Sequence, residues 1–110
     1  MHKDKKDLLQ GTLDLLVMRV LRSGPRHGYD IAKHIHLVSE NVIHVGQGSL
    51  YPSLHRMERR GYIKAKWDIT ETGRKAKFYE LTADGVIKVS EEEKNWEEFT
   101  SAVGLILKNA

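Results

Sequence analysis

The sequence predicts a mainly α-helical fold with a small β-hairpin, arranged as a winged helix-turn-helix followed by a long C-terminal dimerisation helix. Three observations predict it. Before residue 60, apolar residues recur at helical spacing in three segments separated by short turns. Between residues 62 and 81 the period changes to alternation, as in paired strands. From residue 82 onward one uninterrupted helical pattern keeps its apolar residues on a single seam.

The first helix spans residues 8–21, where Leu8, Leu9, Leu13, Leu15, Leu16, Val17, Met18, Val20 and Leu21 are too many for one stripe. Such a helix must be covered on more than one side, as the centre of a domain or at a subunit contact. Before it, residues 1–7 are polar with Lys3, Lys5 and Lys6 and read as a loose arm. Ser23-Gly24-Pro25 stops the helix. A second helix follows over residues 28–39, with Ile31, Ile35 and Val38 on its inner side.

The third helix carries the functional reading. Two glycines, Gly46 and Gly48, make a turn, and Ser49 is a natural N-cap; Pro52 then falls in the first turn, where its missing N–H does little harm. Leu50, Leu54 and Met57 form an apolar underside, while Pro52, His55, Arg56 and Arg59 lie opposite. Gly61 ends the helix. A short helix anchored from below, with cations and small polar groups above, fits a DNA major groove. Gln47, Ser49, Tyr51, Pro52, His55, Arg56 and Arg59 are therefore the expected DNA-reading residues. A solvated face is the plainer reading of such a helix taken alone.

Residues 62–67 and 77–81 alternate apolar and polar side chains and pair as strands, joined by a polar stretch over 68–76 that contains Gly73. Arg74, Lys75 and Lys77 crowd near its end. A basic hairpin directly after a recognition helix is a wing, which rests on phosphate or enters the minor groove. Thr82 caps the last helix, and Asp84 sits by its positive end. Val89, Trp96, Phe99, Val103 and Ile106 then follow coiled-coil spacing, with Glu92 spoiling one position. At ~1.5 Å per residue this helix is near 38 Å long, more than a small domain covers, so a second subunit is expected along it. Trp96 and Phe99 can also wall a pocket for a flat apolar effector between subunits.

The totals agree with this plan. The 110 residues make one structural unit, 1–82 for DNA binding and 83–110 for dimerisation. Charged residues are 30% and hydrophobic ones 40%, as in a globular chain. Residues 81–110 hold three lysines against six carboxylates, a charge of −3; with +3 overall, residues 1–80 carry +6 and face a polyanion. The absence of cysteine excludes disulfides, thiolate chemistry and Cys-based zinc sites. No bilayer-length apolar run and no leader is legible, so a cytoplasmic protein without membrane contact is expected.

Several motifs resemble one family. Leu9-Gln10-Gly11-Thr12-Leu13-Asp14-Leu15-Leu16, His27-Gly28-Tyr29-Asp30-Ile31, Gly48-Ser49-Leu50-Tyr51-Pro52-Ser53-Leu54 and Gly61-Tyr62-Ile63 occur in the order found in the PadR family of bacterial transcriptional regulators. Gly73-Arg74-Lys75-Ala76-Lys77-Phe78-Tyr79 and Leu81-Thr82-Ala83-Asp84-Gly85 are similar to that family's wing and the start of its dimerisation helix. The resemblance covers nearly the whole chain and fits the short subgroup with one C-terminal helix. It implies a winged-helix homodimer that binds an inverted-repeat operator in double-stranded DNA. It further implies repression of its own or a neighbouring efflux or stress promoter, with release by a small molecule. Ser49, Tyr51 and Pro52 take the family's base-reading positions, and Arg74, Lys75 and Lys77 its phosphate-binding wing. An aromatic of the last helix holds ligand in some members.

Other chemistries have weaker support. Ser49, His55 and Asp68 lack the strand-to-helix elbow of a hydrolase nucleophile, and Gly46 and Gly48 lack the remaining glycines and lysine of a phosphate loop. Of six histidines only His34 with His36, and His55 beside Glu58, lie close in sequence, and the first two face different sides of one helix. No catalytic residue, metal or cofactor is therefore expected. The competing function is a winged-helix module that binds protein without reading DNA.

Overall fold

The structure, a computed structural model, describes the backbone of residues 5–110 and side chains from Gln10 onward. Residues 1–4 of the expected arm, and the side chains of Leu8 and Leu9, lie outside the described residues. Seven elements follow in order: α1 (Lys5–Leu21), β1 (Arg26–His27), α2 (Gly28–Val38), α3 (Gln47–Arg59), β2 (Ile63–Ile69), β3 (Lys75–Leu81) and α4 (Ala83–Asn109). This is the winged helix-turn-helix with a long last helix that the sequence predicts. Residues 5–7, expected in the arm, already belong to α1.

The core is built from all layers. Leu15, Val17, Met18 and Leu21 of α1 meet Ile31 and Ile35 of α2, Leu50, Leu54 and Met57 of α3, and Ile63 and Tyr79 of the sheet. Leu54, Ile31 and Val17 are fully buried, so α1 is covered on several sides, as its crowded pattern requires.

The cap of α3 differs from the expected one, and α2 gains a cap from a histidine. His27 caps α2: its Nδ1 accepts the Asp30 N–H at 3.3 Å, while Arg26 pairs with the Asp30 carboxylate at 3.0 Å. α3 starts at Gly46, not Ser49. The extended Gly46 accepts the Leu50 N–H at 3.0 Å, and Ser49 sits inside the first turn. Pro52 consequently lies in the second turn, where it has no N–H to offer the Gly48 carbonyl.

The sheet has order β1-β3-β2, with both pairs antiparallel. The two-residue β1 is absent from the sequence reading, because two residues carry no alternation. The ribbon of β2 and β3 is longer than expected and leaves only residues 70–74 as its tip. There the Thr70 N–H reaches the Arg74 carbonyl at 2.7 Å, and Thr70 Oγ1 accepts the Arg74 N–H.

Thr82 caps α4 as expected, its Oγ1 accepting the Gly85 N–H at 3.0 Å and donating to the Gly61 carbonyl at 2.6 Å. The start of α4 thus abuts the entrance to β2. Val89, expected in a subunit seam, is instead fully buried in the domain core. The first turns of α4 fold back on α1, where Arg19 and Arg22 reach Glu93 at 3.5 and 3.3 Å. Beyond them the helix runs free: Phe99 is 62% exposed, Ile106 63% and Leu107 81%. Among the described residues, no helix is long and apolar enough to cross a membrane.

The close docking of α4 has a sharp test. A Cβ on Gly85 would lie 2.0 Å from the Tyr62 carbonyl oxygen, which is backbone and cannot move aside cheaply. Gly85→Ala should therefore cost about 1–3 kcal/mol or more in urea unfolding. Gly11→Ala on α1 meets open space and should stabilise by about 0.5–1 kcal/mol.

Candidate nucleic-acid interface

The two sides of α3 differ in the way a groove-reading helix requires. Leu50, Ser53, Leu54 and Met57 are buried beneath it, whereas Gln47, Ser49, Tyr51, Pro52, His55 and Arg59 are exposed. Six of the seven expected DNA-reading side chains are thus open to solvent. Arg56 does not. Its Nη2 donates to Asp14 Oδ1 at 2.8 Å, and Ser53 Oγ donates to the same oxygen. Helical spacing puts Arg56 opposite the apolar underside, but a long arginine at the flank of a helix can bend under it toward a half-buried carboxylate. Nothing in the helical spacing of residues 47–59 reveals that partner, since Asp14 lies 42 positions away.

Tyr51 is 38% exposed, and its ring lies over the start of α2: a Cβ on Gly28 would fall 2.8 Å from the Tyr51 hydroxyl. Glycine at position 28 therefore leaves room for the Tyr51 ring against α2. Burial first, then the Glu58 carboxylate and the Tyr51 phenol, holds the Tyr79 hydroxyl above its ordinary range.

In the wing, Arg74 in the tip and Lys75 at the start of β3 are exposed. Lys77 sits nearer the root, half-buried, with its Nζ 3.9 Å from Glu58 Oε1 and 5.7 Å from the Tyr79 ring centre. It ties the wing to α3 and is not a tip cation.

Trp96 and Phe99 lie 6.4 Å apart on the free part of α4, tilted by 45° and open to solvent, as is Val103 at 36% exposure. The fold brings His36 and His44 together, ring centres 4.2 Å apart, a pair the sequence spacing did not suggest. Among the described residues, no three His, Cys, Asp or Glu side chains gather as a metal site would need. Asp68 lies on the wing and accepts the Ile69 N–H.

An exposed polar helix over an apolar underside, set beside a basic β-ribbon, defines a winged-helix DNA-binding transcription regulator. Residues 17–91 match the model of the transcriptional regulator PadR-like family, and the chain belongs to that family. It is similar to a PadR family transcriptional regulator from Eggerthella lenta, with 30% identity, a TM-score of 0.77, and coverage of 94% of this chain and 88% of that one. A transcriptional regulator from Clostridium thermocellum is 26% identical with a TM-score of 0.80, covering 89% and 95% of the two chains. An uncharacterized protein from Lysinibacillus sphaericus is 28% identical over 104 residues, 94% of this chain and 95% of its own.

The Asp14 junction makes a prediction. Arg56→Ala and Asp14→Ala should each destabilise the fold by about 1.5–3 kcal/mol, because each strands a half-buried polar group. In a double-mutant cycle followed by urea unfolding, the pair should cost less than the sum by at least about 0.5 kcal/mol.

Proposed function

We propose that the chain is a homodimeric, sequence-specific repressor that lays α3 into successive major grooves of an inverted-repeat operator. The observation that carries this is the exposed surface of Gln47, Ser49, Tyr51, Pro52, His55 and Arg59 above a buried underside. Arg74 and Lys75 supply phosphate contacts from the wing, and the net +6 of residues 1–80 favours a polyanion. The second subunit is argued from α4. Its distal half exposes Trp96, Phe99, Val103 and Ile106 along one helix, and pairing with the same helix of a partner removes them from water. Two-fold symmetry then asks for half-sites about one helical turn apart. Trp96 and Phe99, facing their symmetry mates, would wall a pocket for a flat apolar effector whose binding releases the operator. The resemblance to PadR regulators supports control of the protein's own or a neighbouring stress or efflux promoter. Such a role places it in the cytoplasm.

Two experiments test this. Arg59→Ala should lose about 1–3 kcal/mol per half-site on a duplex selected from a random pool while hardly changing affinity for scrambled DNA. Removing Arg74 and Lys75 should instead weaken both duplexes and flatten the salt slope by about two units per subunit. Paired titrations across a salt series distinguish these. For the dimer, Val103→Glu should raise the dissociation constant at least about tenfold, ~1.4 kcal/mol, in sedimentation equilibrium. An unchanged dimer would place the contact elsewhere.

A further inference from the structure

The ribbon has two unlike faces. In its register Ile63, Ala65, Trp67 and Ile69 of β2 stand opposite Leu81, Tyr79, Lys77 and Lys75 of β3, and paired residues share a face. At the root this face is core: Ile63 and Tyr79 are each 2% exposed. Further out it leaves the core but still looks toward α3, since Lys77 reaches Glu58 of that helix. Trp67 and Ile69 therefore lie on the side of the ribbon from which Lys77 reaches α3, yet they are 62% and 59% exposed. The other face carries Lys64, Lys66 and Asp68, with Lys64 paired to Glu80.

A large indole and a branched aliphatic side chain, uncovered on the same face as Lys77, are out of place on a ribbon that only rests on phosphate. Directly across the strands from them stand Lys77 and Lys75, with Arg74 next at the tip. Cations flanking an apolar centre fit a polyanion with an apolar floor. We propose that Trp67 and Ile69 form an apolar wedge that enters the DNA minor groove beside the major-groove segment read by α3. This rests on the reading that α3 lies in a major groove. The wedge packs on deoxyribose and partly opens a base step, while Lys75 and Arg74 hold the flanking phosphates. It selects for A·T-rich flanks, where steps deform easily and no guanine amino group blocks the groove.

The test uses the full chain labelled with 5-fluorotryptophan. The sequence has two tryptophans, so two ¹⁹F signals arise, and Trp67→Phe identifies one by its loss. The probe is a duplex of about 30 base pairs recovered by selection from a randomised pool, long enough for two half-sites. The Trp67 signal should shift saturably with duplex, and high salt should reverse the shift. Trp67→Ala should weaken the selected duplex about tenfold, and Ile69→Ala less. Exchanging flanking A·T pairs for I·C, which keeps the minor-groove pattern, should leave wild-type affinity intact. Exchange for G·C should weaken wild type, with little further loss in Trp67→Ala. A Trp67 signal that stays put while the duplex binds overturns the wedge and leaves the α3 reading standing. A shift that follows protein concentration without DNA assigns the face to a second copy and overturns it too. Failure to recover any duplex overturns the DNA reading itself.

Discussion

The placement of α3 depends on one carboxylate. Asp14, facing out of α1, receives both the Ser53 hydroxyl and the Arg56 guanidinium, two groups one turn apart on the underside of α3. Burial of Leu50, Leu54 and Met57 draws the helix onto the core, but apolar contact is not directional and leaves rotation and sliding soft. Two hydrogen bonds to one fixed oxygen specify both. Arg56 is thereby spent inside the protein, and the outward surface is left to Gln47, Ser49, Tyr51, Pro52, His55 and Arg59. The Tyr51 ring lies over Gly28 of α2, against backbone that has no side chain to intervene.

α4 links this arrangement to whatever lies beyond the chain. Its first turns belong to the domain: Thr82 ties them to Gly61, Gly85 lies against the Tyr62 carbonyl, and Val89 completes the core. Its distal turns project from the domain, in a molecule 55 Å along its longest axis. A rigid helix rooted beside α1 turns any movement of its distal half into movement of the body that carries α3. α1 is the common support, holding α4 through Glu93 and α3 through Asp14.

The wing is joined to the same frame at its root. The Lys77–Glu58 contact and the buried Tyr79 hold β3 against α3, so the ribbon approaches DNA at an angle the core sets. Only the tip, with Arg74 and Lys75, is independent of that frame.

Much of this was legible in residue order alone. The winged helix-turn-helix class, the underside of α3, the Thr82 cap and the bounds of α2 to within a residue follow from periodicity, turn residues and caps. Each is a local property, read within a few positions. What only the tertiary structure decided is where distant residues meet. Arg56 turns inward because Asp14, far away in sequence, accepts it. Val89 goes to the core because α4 folds back on α1 before running free. α3 begins at Gly46 and not Ser49, because an extended glycine can start the first turn unaided and the helix is held from below rather than by its cap. β1 exists because β3 offers it a partner. Spacing along the chain fixes which side of an element is apolar, whereas the partner that meets each polar group is a matter of three-dimensional proximity.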